Sequence, residues 1–199
     1  HEGEFLSVVG SNGSGKTTTL NILCGSLPID GGKVLLREKD ITNLPEYRRN
    51  AFIGRVFQDP AKGTCPSLTI LENMSLADNK GKRFNLTGGI NRKRIDFYRS
   101  QLELLHLGLE DKLDLQVGVL SGGQRQALAL LIATLTPIDL LVLDEHTAAP
   151  DPKSSENVMA LTDQIIRQKK LSAIMVTHNL RFAVEYGTRL LMMDKGHCV

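Results

Sequence analysis

Residues 4–17 read EFLSVVGSNGSGKT, and the fold follows from them. Glu4 to Val9 is a short apolar run of the kind that forms a buried strand. Gly10-Ser11-Asn12-Gly13-Ser14-Gly15-Lys16-Thr17 follows at once and fits G-x-x-x-x-G-K-[ST]. The glycines let backbone N–H groups converge on phosphate oxygens, and a helix starting just after them adds its positive dipole end. Lys16 is placed to neutralise the β- and γ-phosphates, and the Thr17 hydroxyl to complete a Mg²⁺ shell. Thr18 joins them as a candidate at the helix start. Leu20, Leu23, Cys24 and Leu27 then recur at helical spacing, so the motif sits in the strand–loop–helix context it needs.

Working outward, Asp30-Gly31-Gly32 predicts a turn before a strand over 33–36, and Phe52 to Phe57 predicts another strand with Gln58 at its exit. Thr69-x-x-Glu72 has capping-box spacing and predicts a helix start. After Gly88-Gly89, Asn91 is expected to cap a helix that places Ile95, Tyr98, Leu102 and Leu105 on one face, with Gly108 as its stop. Ser121-x-x-Gln124 is a second capping-box spacing, opening an apolar helix that closes before Pro137. The remainder predicts a strand over 140–143, a polar helix over 154–170, a strand over 173–176, a helix over 180–186 and a strand over 189–193. Strands alternating with helices imply an α/β core with a mostly parallel sheet covered by helices. The expected organisation is a first part of the core over 1–59, an inserted helical subdomain over 60–125, and the second part of the core over 126–199.

Two further stretches carry chemistry. Leu140-Leu141-Val142-Leu143-Asp144-Glu145 is an apolar strand that delivers carboxylates to the phosphate end of the sheet. Asp144 can hold Mg²⁺ through a water, and Glu145 can take a proton from an attacking water. Leu120-Ser121-Gly122-Gly123-Gln124 is a glycine-rich, Ser-capped helix start, hence a second anion site in a chain with one P-loop lysine.

L-S-G-G-Q between a P-loop and an acidic strand resembles the signature of the ABC-type ATPases. The resemblance covers essentially the whole chain and implies a P-loop NTPase core that binds ATP and Mg²⁺. It implies a nucleotide-sensing role, with metal contact, for Gln58 in Val56-Phe57-Gln58-Asp59, and a γ-phosphate contact for His178 in Val176-Thr177-His178-Asn179. Asp151 matches the loop that couples two active sites. Catalysis would fall to Glu145, His178, Gln58 and Lys16. The resemblance also implies a dimer that sandwiches two ATP molecules, in which Ser121, Gly122, Gly123 and Gln124 act on the partner's nucleotide. Two departures stand out. Pro150 occupies a usually apolar position, and the aromatic on which the family stacks the base is absent before Gly10. The latter, with a chain opening at His1 rather than Met, leads us to expect a truncated N-terminal antiparallel part and further strands beyond Val199.

The resemblance implies an ATPase subunit at the cytoplasmic face of the membrane, working with permease subunits, a second copy of itself and an extracytoplasmic substrate-binding protein. The wording of residues 88–110 and of Asp144-Glu145-His146-Thr147 is similar to bacterial importer ATPases with amino-acid-type permeases. The alternative is a soluble ABC-type ATPase acting on nucleic acid or ribosomes. Thr17 to Leu120 contains neither heptads nor paired cysteines, which argues against the DNA-repair members. A GTPase is weaker still, because Asn79-Lys80-Gly81-Lys82 lacks the acid that would read guanine.

Composition is consistent with this reading. The 199 residues carry 24 Lys+Arg against 22 Asp+Glu and are 41% hydrophobic, which excludes wholesale disorder. The most apolar stretch, 127–143, is interrupted by Thr134, Thr136, Pro137 and Asp139 well short of a membrane span. Three cysteines without a C-x-x-C pair favour a reducing compartment. Seven basic residues (Lys80, Lys82, Arg83, Arg92, Lys93, Arg94, Arg99) crowd one stretch with Asp96 as its single acid. Single-stranded nucleic acid gains no specific support from this stretch, and nucleic acid is not an expected partner.

Overall fold

The computed structural model describes residues 2–82, 89–147 and 152–199. They form two compact units. The first comprises His1–Arg55, Ile138–Glu145 and Lys170–Val199, and the second Val56–Pro137 and His146–Lys169.

In the first unit, β1 (Phe5–Gly10) leads through the glycine loop into α1 (Lys16–Cys24). β4 (Ile53–Val56), β5 (Leu140–Asp144), β6 (Ser172–Val176) and β7 (Arg189–Asp194) complete the large sheet with a two-residue β8 (His197–Cys198). The strand order is β4-β5-β6-β1-β7-β8. β5–β6, β6–β1 and β1–β7 are parallel, with Asp144 level with Val176 and Val8 level with both Val176 and Leu191. α7 (Leu180–Tyr186) packs on β1. Parallel pairing requires crossovers, which is why the strands alternate with helices along the chain. Every residue of β5 is buried, as its unbroken apolar sequence requires. Helical cover thins towards the edge, where Leu190 and Met192 of β7 are more than half exposed. Val8, Leu20, Ile53, Val142 and Val176 join strands and α1 in one core.

Two antiparallel pairings escape the alternation rule. β2 (Leu35–Leu36) pairs with β3 (Lys39–Asp40), and β7 with β8. The strand expected over 33–36 is therefore only its last two residues. Both hairpins turn on two residues with positive φ, Arg37-Glu38 (46° and 64°) and Lys195-Gly196 (46° and 84°), as a primed two-residue turn requires. Strands this short carry no period to read. A four-residue α2 (Glu46–Arg49) follows the first hairpin.

The second unit is helical: α3 (Ile70–Asp78), α4 (Ile95–Glu103), α5 (Gly122–Ala133) and α6 (Pro152–Lys169). The residues expected as an inserted helical segment lie here, together with all of α5 and α6. Met74, Tyr98, Leu102, Leu128 and Leu131 are fully buried in its core. Both expected capping boxes are present. Thr69 Oγ1 accepts from Glu72 N while the Glu72 carboxylate accepts from Thr69 N, and Ser121 and Gln124 reciprocate in the same way. Asn91 does not cap with its side chain. A 3₁₀ turn over Arg92–Arg94 intervenes, and α4 starts one turn later than the sequence suggests. That turn also alters the basic cluster. Arg92, Lys93 and Arg99 are exposed, whereas Arg94 folds inward, with Nε 2.7 Å from Asp78 Oδ2 and its guanidinium 4.2 Å above the Phe97 ring. Tyr98 donates to the same Asp78 carboxylate. Among the described residues no helix is long and apolar enough to cross a membrane.

Candidate active site

At the exit of β1 the glycine loop wraps Lys16, which is buried although its neighbours Thr17 and Thr18 are exposed. Its Nζ donates to Gly10 O and Ser11 O, each at 2.8 Å. A Cβ on Gly10 would stand 2.2 Å from Met193 O, so only glycine lets the loop run against β7. Gly15 precedes the helix with φ 100°, a left-handed conformation that turns the chain into α1. The loop is braced from behind by the β7–β8 turn, where Gly196 N donates to Ser14 O at 3.0 Å. The first N–H groups of α1 have no intrahelical acceptor, so they and the loop amides form an anion cradle. Ser11, Asn12 and Gly13 are exposed on it, and Ser14 is buried beneath.

Beside it, β5 ends in two carboxylates with different surroundings. Asp144 is buried, and Arg55 of the adjacent β4 donates Nη2–H to its Oδ2 at 2.8 Å. Glu145 has φ 49°, a strained value for a side-chain-bearing residue, while its N–H donates to Val176 O. This bend brings Glu145 Oε1 within 2.7 Å of His178 Nε2 at the exit of β6. The first unit thus gathers Gly10 to Thr18, Asp144, Glu145 and His178. The residues fit a magnesium ion: a hydroxyl and a carboxylate are the hard oxygen donors it takes, and one or two protein oxygens beside substrate phosphates are its usual complement.

The second unit carries the remaining candidates. Gln58 is exposed just beyond β4. The backbone before it is held by Gln126, buried in α5, whose Nε2 donates to Phe57 O at 3.2 Å. Ser121 and Gly122 are exposed at the start of α5, with Gly123 and Gln124 half-buried behind them. A cavity of about 290 Å³ opens there between Ser121, Gln124, Leu105, Leu107, Asn157 and Leu161. Asp151 and Pro150 lie outside the described residues.

Three participants had no signal in the sequence. Arg55 reads as one more strand residue, and Gln126 as a polar interruption of an apolar helix. His146 reads as a neighbour of Glu145, yet it is buried against α6 with Nε2 2.9 Å from Thr162 Oγ1. The Thr162 hydroxyl donates to Val158 O, so it must accept from Nε2–H, which leaves Nδ1 unprotonated and without a hydrogen-bond partner. Burial drives the His146 pKa down to about 3.

A family model described as ABC transporter matches residues 1–148. The chain belongs to that family. It is 50% identical over 198 residues to a tyrosine transport ATP-binding protein of Clostridioides difficile, covering all of this chain and 78% of the relative. A spermidine/putrescine import ATP-binding protein of Haemophilus influenzae is 32% identical over 98% of this chain, which spans half of that longer relative. Among solved structures, the dimeric ATP-binding cassette MJ0796 bound to ADP and Pi superimposes with a TM-score of 0.81 at 30% identity, over the whole of this chain and 84% of the cassette. The chain is accordingly an ABC-type ATPase with the cassette fold, as its signature and P-loop led us to expect.

Proposed function

We propose that this ATPase powers a bacterial import system for an amino-acid-type solute, as a nucleotide-sandwich dimer on the cytoplasmic side of membrane permease subunits. The observation that carries the hydrolytic part is the pairing of Glu145 with His178 at 2.7 Å beside the P-loop strand. The import part is supported by the 50% identity to a tyrosine transport subunit. An extracytoplasmic binding protein belongs to the proposal as the partner that would present the solute.

In this reading the loop amides and Lys16 bind and orient the β- and γ-phosphates, and Thr17 and Asp144 hold Mg²⁺ together with Gln58. When bound, the ion draws charge from the phosphate oxygens. Glu145 accepts the proton of the attacking water, while His178 holds that carboxylate in place and contacts the γ-phosphate. Ser121, Gly122, Gly123 and Gln124 of one copy close over the nucleotide of the other and exclude water, with Asp151 linking the two sites.

Mixing Lys16→Ala and Ser121→Arg subunits tests the sandwich: one composite site is doubly broken and the other intact, so hydrolysis should return relative to either variant alone. No recovery would refute the arrangement. Uptake of labelled tyrosine by cells lacking the subunit, restored by the wild-type gene and not by Glu145→Gln, tests the import role. Steeply salt-dependent binding to duplex DNA without any uptake defect would overturn it.

A further inference from the structure

The two carboxylates where β5 ends are met from opposite sides: Glu145 by His178, just beyond β6, and Asp144 by Arg55 of β4. The two contacts are not equivalent. His178 is half exposed, whereas Arg55 and Asp144 are shielded, with side chains 9% and 11% exposed. A guanidinium cannot be discharged at any physiological pH, so the positive charge beside Asp144 Oδ2 is permanent. A buried cation within hydrogen-bonding distance of a carboxylate repels any second cation that approaches the same group.

We infer that Arg55 is the resident counter-ion of Asp144, a positioning residue that keeps divalent cations off this carboxylate unless nucleotide phosphates bring them. The inference rests on reading Asp144 as the metal-holding residue. Arg55 occupies Oδ2 and satisfies the buried charge. A lone Mg²⁺ meets a neutralised pair and gains little there. An Mg²⁺ already carried by a triphosphate arrives with an excess of negative charge, which offsets the guanidinium. The site therefore fills with metal and nucleotide together.

The test is titration of Mn²⁺ against the full chain, followed by the electron paramagnetic resonance of the free ion, with and without ATP. Without nucleotide, Arg55→Met should bind Mn²⁺ about tenfold more tightly than wild type, the effect of removing one like charge at close range. Arg55→Lys, which keeps the charge, should stay close to wild type, and Arg55→Met with Asp144→Asn should lose the gain. With ATP present, wild type and Arg55→Met should differ little, and Asp144→Asn should weaken Mn²⁺ binding. If Asp144→Asn leaves Mn·ATP affinity intact, the metal role of Asp144 fails. If that role holds but Arg55→Met gains no affinity without nucleotide, the inference about Arg55 is overturned. Should Arg55→Met fail to fold, Arg55→Gln removes the charge while keeping an amide donor to Oδ2, and the same gain is required of it.

Discussion

Arg49 offers the sharpest test of how the P-loop helix is held. It is a buried arginine, 3% exposed, whose guanidinium is met by main-chain carbonyls. Nη1 donates to Ile22 O at 2.7 Å and Leu23 O at 2.9 Å, Nε to Leu44 O at 2.9 Å, and Nη2 to Thr42 O at 2.6 Å. Ile22 and Leu23 close α1, so the cation sits at the negative end of the helix whose positive end forms the phosphate cradle. Arg49→Met keeps the aliphatic stem but takes a charged donor from four partly buried carbonyls, of which Ile22 O keeps Gly25 N as a second donor. At roughly 1.5–3 kcal/mol for a hydrogen bond from a charged group, discounted for non-additivity, the loss should be about 3–4 kcal/mol of unfolding free energy. Arg49→Lys, with a single nitrogen, should recover at most half of it. A coupling test sharpens the point. A Cβ on Gly25 would stand 2.9 Å from Arg49 Nε, and Gly25 itself has φ 85°. Gly25→Ala should therefore cost less in the Arg49→Met background than in wild type, because one of its two penalties is gone. Urea denaturation followed by circular dichroism measures all five proteins. A cost for Arg49→Met below about 1 kcal/mol, within the range of surface substitutions, would refute the reasoning.

Other outcomes follow from the same contacts. Glu145→Gln should lower ATP turnover by roughly 10²- to 10⁴-fold while ATP still binds, measured by phosphate release and by equilibrium binding. Gly10→Ala should abolish nucleotide binding, since its methyl would collide with the Met193 carbonyl at 2.2 Å, a backbone atom that cannot step aside. For His146, whose pKa falls from 6.5 to about 3 on folding, the unfolded chain binds the proton first as pH drops. Its contribution is complete above pH 6.5 and is lost as pH falls towards 3, so wild type should lose about 2 kcal/mol more than His146→Gln between neutral pH and pH 5 in urea titrations. Ser121→Ala removes a capping box from α5 and should cost about 1 kcal/mol by the same assay.

The elements that could be read in advance are those whose causes are local. The glycine loop, the apolar run of β5 and the capping boxes at Thr69 and Ser121 each depend on residues within a few positions of one another. Their signals survive in the bare sequence because steric freedom, strand burial and N-cap hydrogen bonds are short-range effects. Asn91 shows the limit even there: a good capping residue yields to a 3₁₀ turn once Arg94 finds Asp78 and Phe97.

The active site divides along the same line. The amino-acid sequence by itself determined that a phosphate cradle, two adjacent carboxylates and a histidine at a strand end would be present, because each is a residue type at a local position. Only the tertiary structure decided who faces whom. Arg55 meets Asp144 across 89 residues because β4 lies beside β5, and Glu145 meets His178 because β6 lies on the other side and the backbone bends through φ 49°. Strand order is set by which faces bury the most apolar surface when helices and strands pack together. No residue in β4 announces its neighbour, so a charge pair built across two strands is invisible until the sheet is assembled.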